Sequence, residues 1–317
     1  MGIFDSTVLF ILGFFILIRG GQILIHGAIS IAKVFRVSTW FIGTVIVSAG
    51  TTIPEFSINI AAAFSHHEVG LATVIGSNIF NVLFIMGFVA IFAPIVMHHI
   101  WVKRDLLMFI GITIFAAVII LFPTLGDPSW NGVTRFEGGV LLAVFIFWFI
   151  QVLRRSDDTI EDHDFEVVTV FVAILMLVGG IIGVFIGGQW VVDGAVVFAK
   201  YLGVSEAVIG FTIVALGTSL PELTVSIMGL MKGTYGIAVG NVLGACIFNL
   251  LGVLGITAVI HPITVVDPIT FDVLFVILTA VLWYGLMFVG KRYVLTRWKG
   301  LTFLALYAFY IFSLFNR

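Results

Sequence analysis

The sequence predicts an all-α polytopic membrane protein, with ten transmembrane helices in two inverted-topology five-helix repeats. Three observations point there. The 317 residues are 61% hydrophobic and only 10% charged, with a mean hydropathy of +1.23, whereas soluble domains carry about 25% charged residues. Apolar stretches of about 20 residues, each long enough to cross a bilayer as a helix, recur along the chain. The two halves also repeat one another. The alternating ten-residue segments of a membrane β-barrel are absent.

The spans fall at roughly 7–32, 38–64, 70–93, 105–122, 136–153, 166–199, 205–231, 236–260, 268–290 and 298–315. The first run is long and has no small-residue cleavage site after it, so it is expected to stay as a span rather than to be removed as a signal peptide. The longest polar interruption, RRSDDTIEDHDFE from Arg154 to Glu166, separates the halves. The expected organisation is a first five-helix repeat at 1–153, an acidic linker at 154–165 and a second repeat at 166–317, working as one transport unit. The linker is too short for a large regulatory domain. Cys246 is the single cysteine, which excludes an intrachain disulfide and a thiolate metal cluster.

Orientation follows from positive charge. With the N-terminus outside, the cytoplasmic loops hold Lys33, Arg36, Lys103, Arg104, Arg154, Arg155, Lys232, Lys291, Arg292, Arg297 and Lys299, which is 11 of the 15 Lys and Arg. Both termini are then outside and the acidic linker inside. Five spans per half is an odd number, so the second half enters the membrane upside down relative to the first.

The repeat is explicit in three blocks. FIGTVIVSAGTTIPE (41–55) matches VIGFTIVALGTSLPE (208–222) at eight of fifteen positions, with an offset of 167. ATVIGSNIFNVLFIMG (72–87) matches GNVLGACIFNLLGVLG (240–255) with an offset of 168, and GGQILIHGA (20–28) matches GGQWVVDGA (187–195). Inverted repeats are the architecture of secondary transporters, whose ion sites lie near the midplane on interrupted helices.

Within the first block, Gly50-Thr51-Thr52-Ile53-Pro54-Glu55 sets a flexible residue, two hydroxyls, a proline and an acid inside an apolar run. Proline removes an amide donor and interrupts the helical ladder, so carbonyls lose their partners. In lipid those carbonyls need another partner, and a bound cation is one. Glu55 is too short to snorkel from a span centre, and Arg19 is the only mid-span base available to pair with it. Glu222 has no such base in its own half. A charge at the bilayer centre costs about 2.5–3.5 kcal/mol on insertion scales, and two such costs at equivalent repeat positions favour a cation site over incidental buried acids.

The second block adds oxygens. Ser77 and Asn81, four apart, share a helix face, and Asn249 is the equivalent of Asn81. Gly76, Ser77, Gly244 and Ala245 also suit close helix packing, and both roles are compatible. The histidine pairs His66/His67 and His98/His99 lie at loop ends and are expected to be solvated. His26 and Asp193 are repeat-equivalent, and either helix packing or an ion route would account for them. Ser57 and Asn59 lie one turn beyond Glu55. Two bidentate carboxylates with freed carbonyls approach the six to eight oxygens of a calcium site; no thiolate or imidazole cluster favours zinc or copper, and magnesium dehydrates reluctantly. No His-Glu-x-x-His, GxSxG or phosphate-loop motif supports an enzyme, and interrupted repeats argue against a channel.

At GTTIPE and GTSLPE, followed by GSNIFN and GACIFN, the chain resembles the two α-repeats of the calcium/cation antiporter superfamily, and most nearly its prokaryotic sodium/calcium exchangers. The resemblance implies alternating-access exchange of Ca2+ for Na+ in a prokaryotic inner membrane. It implies that Glu55 and Glu222 chelate calcium and serve sodium. Thr51 and Thr218 would lend carbonyls, Thr52 and Ser219 hydroxyls, and Ser48 and Ala215 carbonyls at flanking sodium sites. Ser77, Asn81 and Asn249 would complete the pocket, and the first two spans of each half would be sliding gating helices. Thr52 stands where the family usually has serine, Ala245 lacks the hydroxyl of Ser77, and Asn249 stands where some exchangers carry aspartate. With two carboxylates, a three-for-one stoichiometry does not follow, and protons compete for paired buried acids. The alternative is therefore a proton-coupled Ca2+, or other divalent cation, exchanger. The expected partners are the lipid bilayer, Ca2+, Na+ and, in the alternative, H+, with no nucleic acid and no resident cofactor; each half supplies its part of the site, so a monomer is adequate.

Overall fold

The computed structural model describes residues 3–65, 69–122, 132–154, 167–201, 217–264 and 269–315. In chain order its helices are α1 Ile3–Phe35, α2 Thr39–Thr51, α3 Ile53–Ser65, α4 Leu71–Phe92, α5 Trp101–Leu121, α6 Arg135–Leu153, α7 Val170–Tyr201, α8 Leu220–Met231, α9 Tyr235–Ile260, α10 Ile269–Leu286 and α11 Arg297–Phe315. Among the described residues seven helices are long and apolar enough to span a bilayer, namely α1, α4, α5, α6, α7, α9 and α10, and the bent pair α2–α3 makes eight. The expected span at 205–231 is represented by α8 alone, since residues 202–216 lie outside the described ones, as do most of the acidic linker and His66 and His67. Outward aromatic side chains such as Phe147, Phe171 and Phe312 are more than 60% exposed, as expected of surfaces that meet acyl chains rather than water.

The chain forms two compact units, each drawing on both halves of the sequence: Met1–Thr51 with Ser156–Asn241, and Thr52–Arg155 with Val242–Arg317. In the first unit α1 and α7 run antiparallel along a seam of glycines. Gly13, Gly20 and Gly27 on α1 are spaced by seven, and their repeat equivalents on α7 are Gly180, Gly187 and Gly194. A Cβ on Gly20 would lie 2.7 Å from the Val184 amide nitrogen, and one on Gly187 2.5 Å from that of Leu17. Only glycine permits that backbone approach, and small residues serve this purpose between membrane helices. Leu24, Ile25 and Ala28 on α1, Leu177 on α7 and Val225 on α8 form the adjoining core.

The second unit is built from matched contacts. Gly87 of α4 meets Gly300 of α11, and Gly255 of α9 meets Gly138 of α6. The Arg297 guanidinium donates to the Phe92 carbonyl at 3.4 Å and that of Arg135 to the Ile260 carbonyl at 3.3 Å, so each arginine caps the C-terminal carbonyls of a helix from the other half. Two antiparallel ladders join the halves as well: β1 (Ile95–Val96) pairs with β4 (Val294–Leu295), and β2 (Gly132–Val133) with β3 (Ile263–Thr264).

Candidate ion-binding site

The two interrupted segments have matching local structure. The helix preceding Glu55 ends at Thr51, and α3 begins at Ile53; in the second half Thr218 and Ser219 are turn residues, and α8 begins at Leu220. The break therefore lies at Thr52, two residues before Pro54. Each proline occupies the second position of the new helix, where its missing N–H costs nothing. The first helical bonds are equivalent too: Phe56 N–H donates to the Thr52 carbonyl at 3.0 Å, and Leu223 N–H to the Ser219 carbonyl at 3.1 Å. Glu55 and Glu222 thus occupy the third position of their helices, at the positive end of the helix dipole. Thr52-x-x-Glu55 and Ser219-x-x-Glu222 fit the sequence of a capping box, but the Ser219 side chain makes no cap bond. Both glutamates have no exposed surface.

The predicted site residues divide between the units. The first holds Ser48, Thr51, Thr218, Ser219 and Glu222; Ser48, Thr51 and Ser219 are buried and Thr218 is half-buried. Thr51 Oγ1 lies 3.3 Å from the Ser48 carbonyl and donates to Asn241 Oδ1 at 3.1 Å, and Asn241 Nδ2 donates to the Glu222 carbonyl at 3.3 Å. Asn241 thereby ties the end of α2 to the start of α8. It had no sequence signal, because its repeat equivalent is Thr73. Ala215 lies outside the described residues.

The second unit holds Thr52, Glu55, Ser77, Asn81 and Asn249, all buried. Asn59 Nδ2 donates to the Glu55 carbonyl at 2.8 Å, while the Asn59 Oδ1 has no hydrogen-bond partner among the described residues. Neither amide atom of Asn81 has one among the described residues, although Asn81 is fully buried. An unsatisfied buried amide group costs about 1–3 kcal/mol, so such a group is to be satisfied by water, an ion or another polar group. Asn81 and Asn249 each sit second in a π-turn, Phe80–Ile85 and Phe248–Val253, and accept the five-residue bonds from Met86 and Leu254 N–H. A π-turn widens the helix and re-aims its side chains, and such turns concentrate at functional sites. Nothing in the apolar pattern announced them. Asn78, also buried, contacts both Cys246 and Asn249.

The remaining candidates lie apart from these groups. Arg19 is 3.5 Å from Gln22 Oε1 and rests over the Phe15 ring, and Asp193 accepts from Gln189. Ser57 is exposed and bonds back to Ile53. Among the described residues no three His, Cys, Asp or Glu side chains cluster. Each unit offers one buried carboxylate together with amides, hydroxyls and carbonyls, all of which are hard-ion ligands.

Long apolar helices, two of them interrupted beside a buried acid, mark a polytopic helical membrane protein. The chain belongs to the sodium/calcium exchanger protein family, whose sequence profile matches residues 5–153 and 172–316. It is 33% identical over 307 residues to the uncharacterized membrane protein MJ0091 of Methanocaldococcus jannaschii, covering 96% of each chain. It is 28% identical over 345 residues to the sodium/calcium exchanger MaX1 of Methanosarcina acetivorans, covering 98% of each. The fold matches a solved structure of the sodium-calcium exchanger NCX_Mj, soaked with 10 mM Na+ and zero Ca2+, with a TM-score of 0.85 and 32% identity over 99% of this chain and 100% of that one.

Proposed function

We propose that this protein is a secondary active antiporter that exchanges Ca2+ for Na+ by alternating access. The observation that carries the proposal is the pair of fully buried glutamates, Glu55 and Glu222, at equivalent repeat positions just after helix breaks. Family membership and the likeness to NCX_Mj and MaX1 support it. In this scheme the two carboxylates hold the ion. Thr51, Thr218, Ser48 and Ala215 lend carbonyls, Thr52 and Ser219 lend hydroxyls, and Ser77, Asn81 and Asn249 complete the ligand set. Ten spans in two inverted repeats, 1–153 and 166–317 about the 154–165 linker, would place both termini outside and allow a monomer to work alone. The first spans of each half would be the moving elements.

The chemistry required is modest. Entering Ca2+ exchanges its water shell for oxygens already fixed by helix geometry, so little reorganisation accompanies binding. Sodium, with half the charge, shares the same oxygens, so the two ions exclude each other and a sodium gradient can expel calcium. Asn249 favours a second reading, because a neutral amide there leaves the acid count at two and suits proton coupling.

The test is calcium-45 uptake into proteoliposomes loaded with sodium and diluted into sodium-free buffer. We expect uptake that requires the outward sodium gradient and falls by about a hundredfold or more in Glu222→Gln, since removing one charge from a buried site costs about 3 kcal/mol or more. Uptake driven by a pH gradient without sodium would select the proton-coupled reading. Absence of calcium flux under either gradient would reject calcium as the substrate.

A further inference from the structure

Three buried groups in the second unit form a directed chain. Asn78 Nδ2 donates to the Cys246 carbonyl at 3.3 Å, and Asn249 Nδ2 donates to Asn78 Oδ1 at 3.4 Å. Cys246 Sγ, 4.0 Å from the Asn78 carbonyl, adds a weak bond in the other direction. Asn78, Cys246 and Asn249 have no exposed surface. One end of this chain fixes the rest. A main-chain carbonyl only accepts, so Asn78 must turn its NH2 toward Cys246. Its Oδ1 then faces Asn249 and only accepts, so Asn249 must turn its NH2 toward Asn78. Among the described residues the fully buried Asn249 Oδ1 is left with no hydrogen-bond partner.

An amide is nearly symmetric in shape but not in chemistry. Rotated by half a turn, Asn249 would offer hydrogens where it now offers an oxygen, and only the oxygen can ligate a cation. We propose that Asn78 is a positioning residue that holds the Asn249 amide with its oxygen available to the transported ion. This rests on Asn249 being a ligand of the exchanger site. The same geometry tunes the position to a neutral side chain. An aspartate at 249 would oppose the Asn78 Oδ1, acceptor against acceptor, until Asn78 turned over and released the Cys246 carbonyl.

The experiment is a mutant cycle on the full chain. Calcium affinity is measured by titration calorimetry on purified protein, with KM and maximal rate from proteoliposome uptake and a thermal midpoint for each variant. Asn249→Ala is expected to weaken calcium binding about tenfold, the worth of one bond to a charged group. Asn78→Leu should weaken it by a similar factor, mainly in KM. Asn249→Ala should then cost less than about twofold in the Asn78→Leu background, because the misaligned amide has already been lost. In the Asn78→Asp background, where a carboxylate still accepts from Asn249 Nδ2, it should again cost about tenfold. Additive losses in the leucine background, or no cost of Asn249→Ala in the aspartate background, would overturn the proposal. If Asn78→Leu does not fold, Asn78→Ala takes its place in the cycle, with the same expectation of less than about twofold for the added Asn249→Ala. Unchanged affinity in Asn249→Ala by itself would instead refute the ligand assignment, and the positioning role with it; a loss at Asn249→Ala with none at Asn78→Leu refutes the positioning role only.

Discussion

Thr51 and Asn241 show how a few polar contacts set the position of an acid without touching its carboxylate. The Thr51 hydroxyl holds Asn241, and Asn241 holds the Glu222 main chain. Thr51→Val removes the donor while keeping shape, and leaves the Asn241 Oδ1 without that bond in a buried site. The expected cost is about 1–3 kcal/mol, seen as a melting midpoint several degrees lower in detergent. Calcium KM should rise too, because the start of α8 is freed. A midpoint and KM equal to wild type would show that Asn241 is held by something else. At this scale the sequence was partly legible. Glu55, Glu222, Asn81 and Asn249 stood out because the repeats keep them in both halves. Asn78 and Asn241 did not, because their equivalents are Cys246 and Thr73, and their roles arise from partners 168 and 190 residues away. Such partnerships exist only once the helices are packed.

Elements were legible where hydrophobic length or local chemistry defines them. The apolar runs gave the long helices, and Thr-Thr-x-Pro marked the break to within two residues. The π-turns at Phe80–Ile85 and Phe248–Val253 were not legible, since a one-residue shift in bonding leaves hydropathy unchanged. Nor were the two-residue ladders, which are too short to show alternation. The glycines of α1 and α7 are visible as a seven-residue spacing, but only the packed pair reveals what they admit. Gly187→Ala should collide with the Leu17 backbone and cost about 1–3 kcal/mol by overpacking. Gly179→Ala, on the same helix with nothing within 4 Å of the added carbon, should be neutral or stabilise by up to about 1 kcal/mol. Thermal midpoints of the two purified variants make the comparison. Equal midpoints would mean that the α1–α7 crossing can open without cost.

For the whole molecule the open quantity is topology, and the ladders bear on it. Strands can pair only if they lie on one side of the membrane. The positive-charge rule puts the loops of β1 and β4 inside and those of β2 and β3 outside, so both observed pairings are ones that ten spans allow. The rule does not depend on every charge: Lys299 is fully buried, donating to the carbonyls of Lys291 and Val294. Leaving it out still puts 10 of the 15 basic residues inside. Inversion can be tested without knowing the absolute orientation. Val96 and Thr264 are repeat-equivalent, exposed strand residues, separated by five of the ten expected spans. Introduced singly as cysteines in a Cys246→Ala background, they should react with a membrane-impermeant maleimide from opposite sides: Val96→Cys in inverted vesicles, Thr264→Cys in intact cells. Labelling from the same side would require an even number of spans between them. The repeats would then be parallel, and the two glutamates would no longer be brought to a common depth by an in-plane axis. Opposite labelling with the sides exchanged would keep the inverted repeat and reverse only the orientation, placing both termini in the cytoplasm.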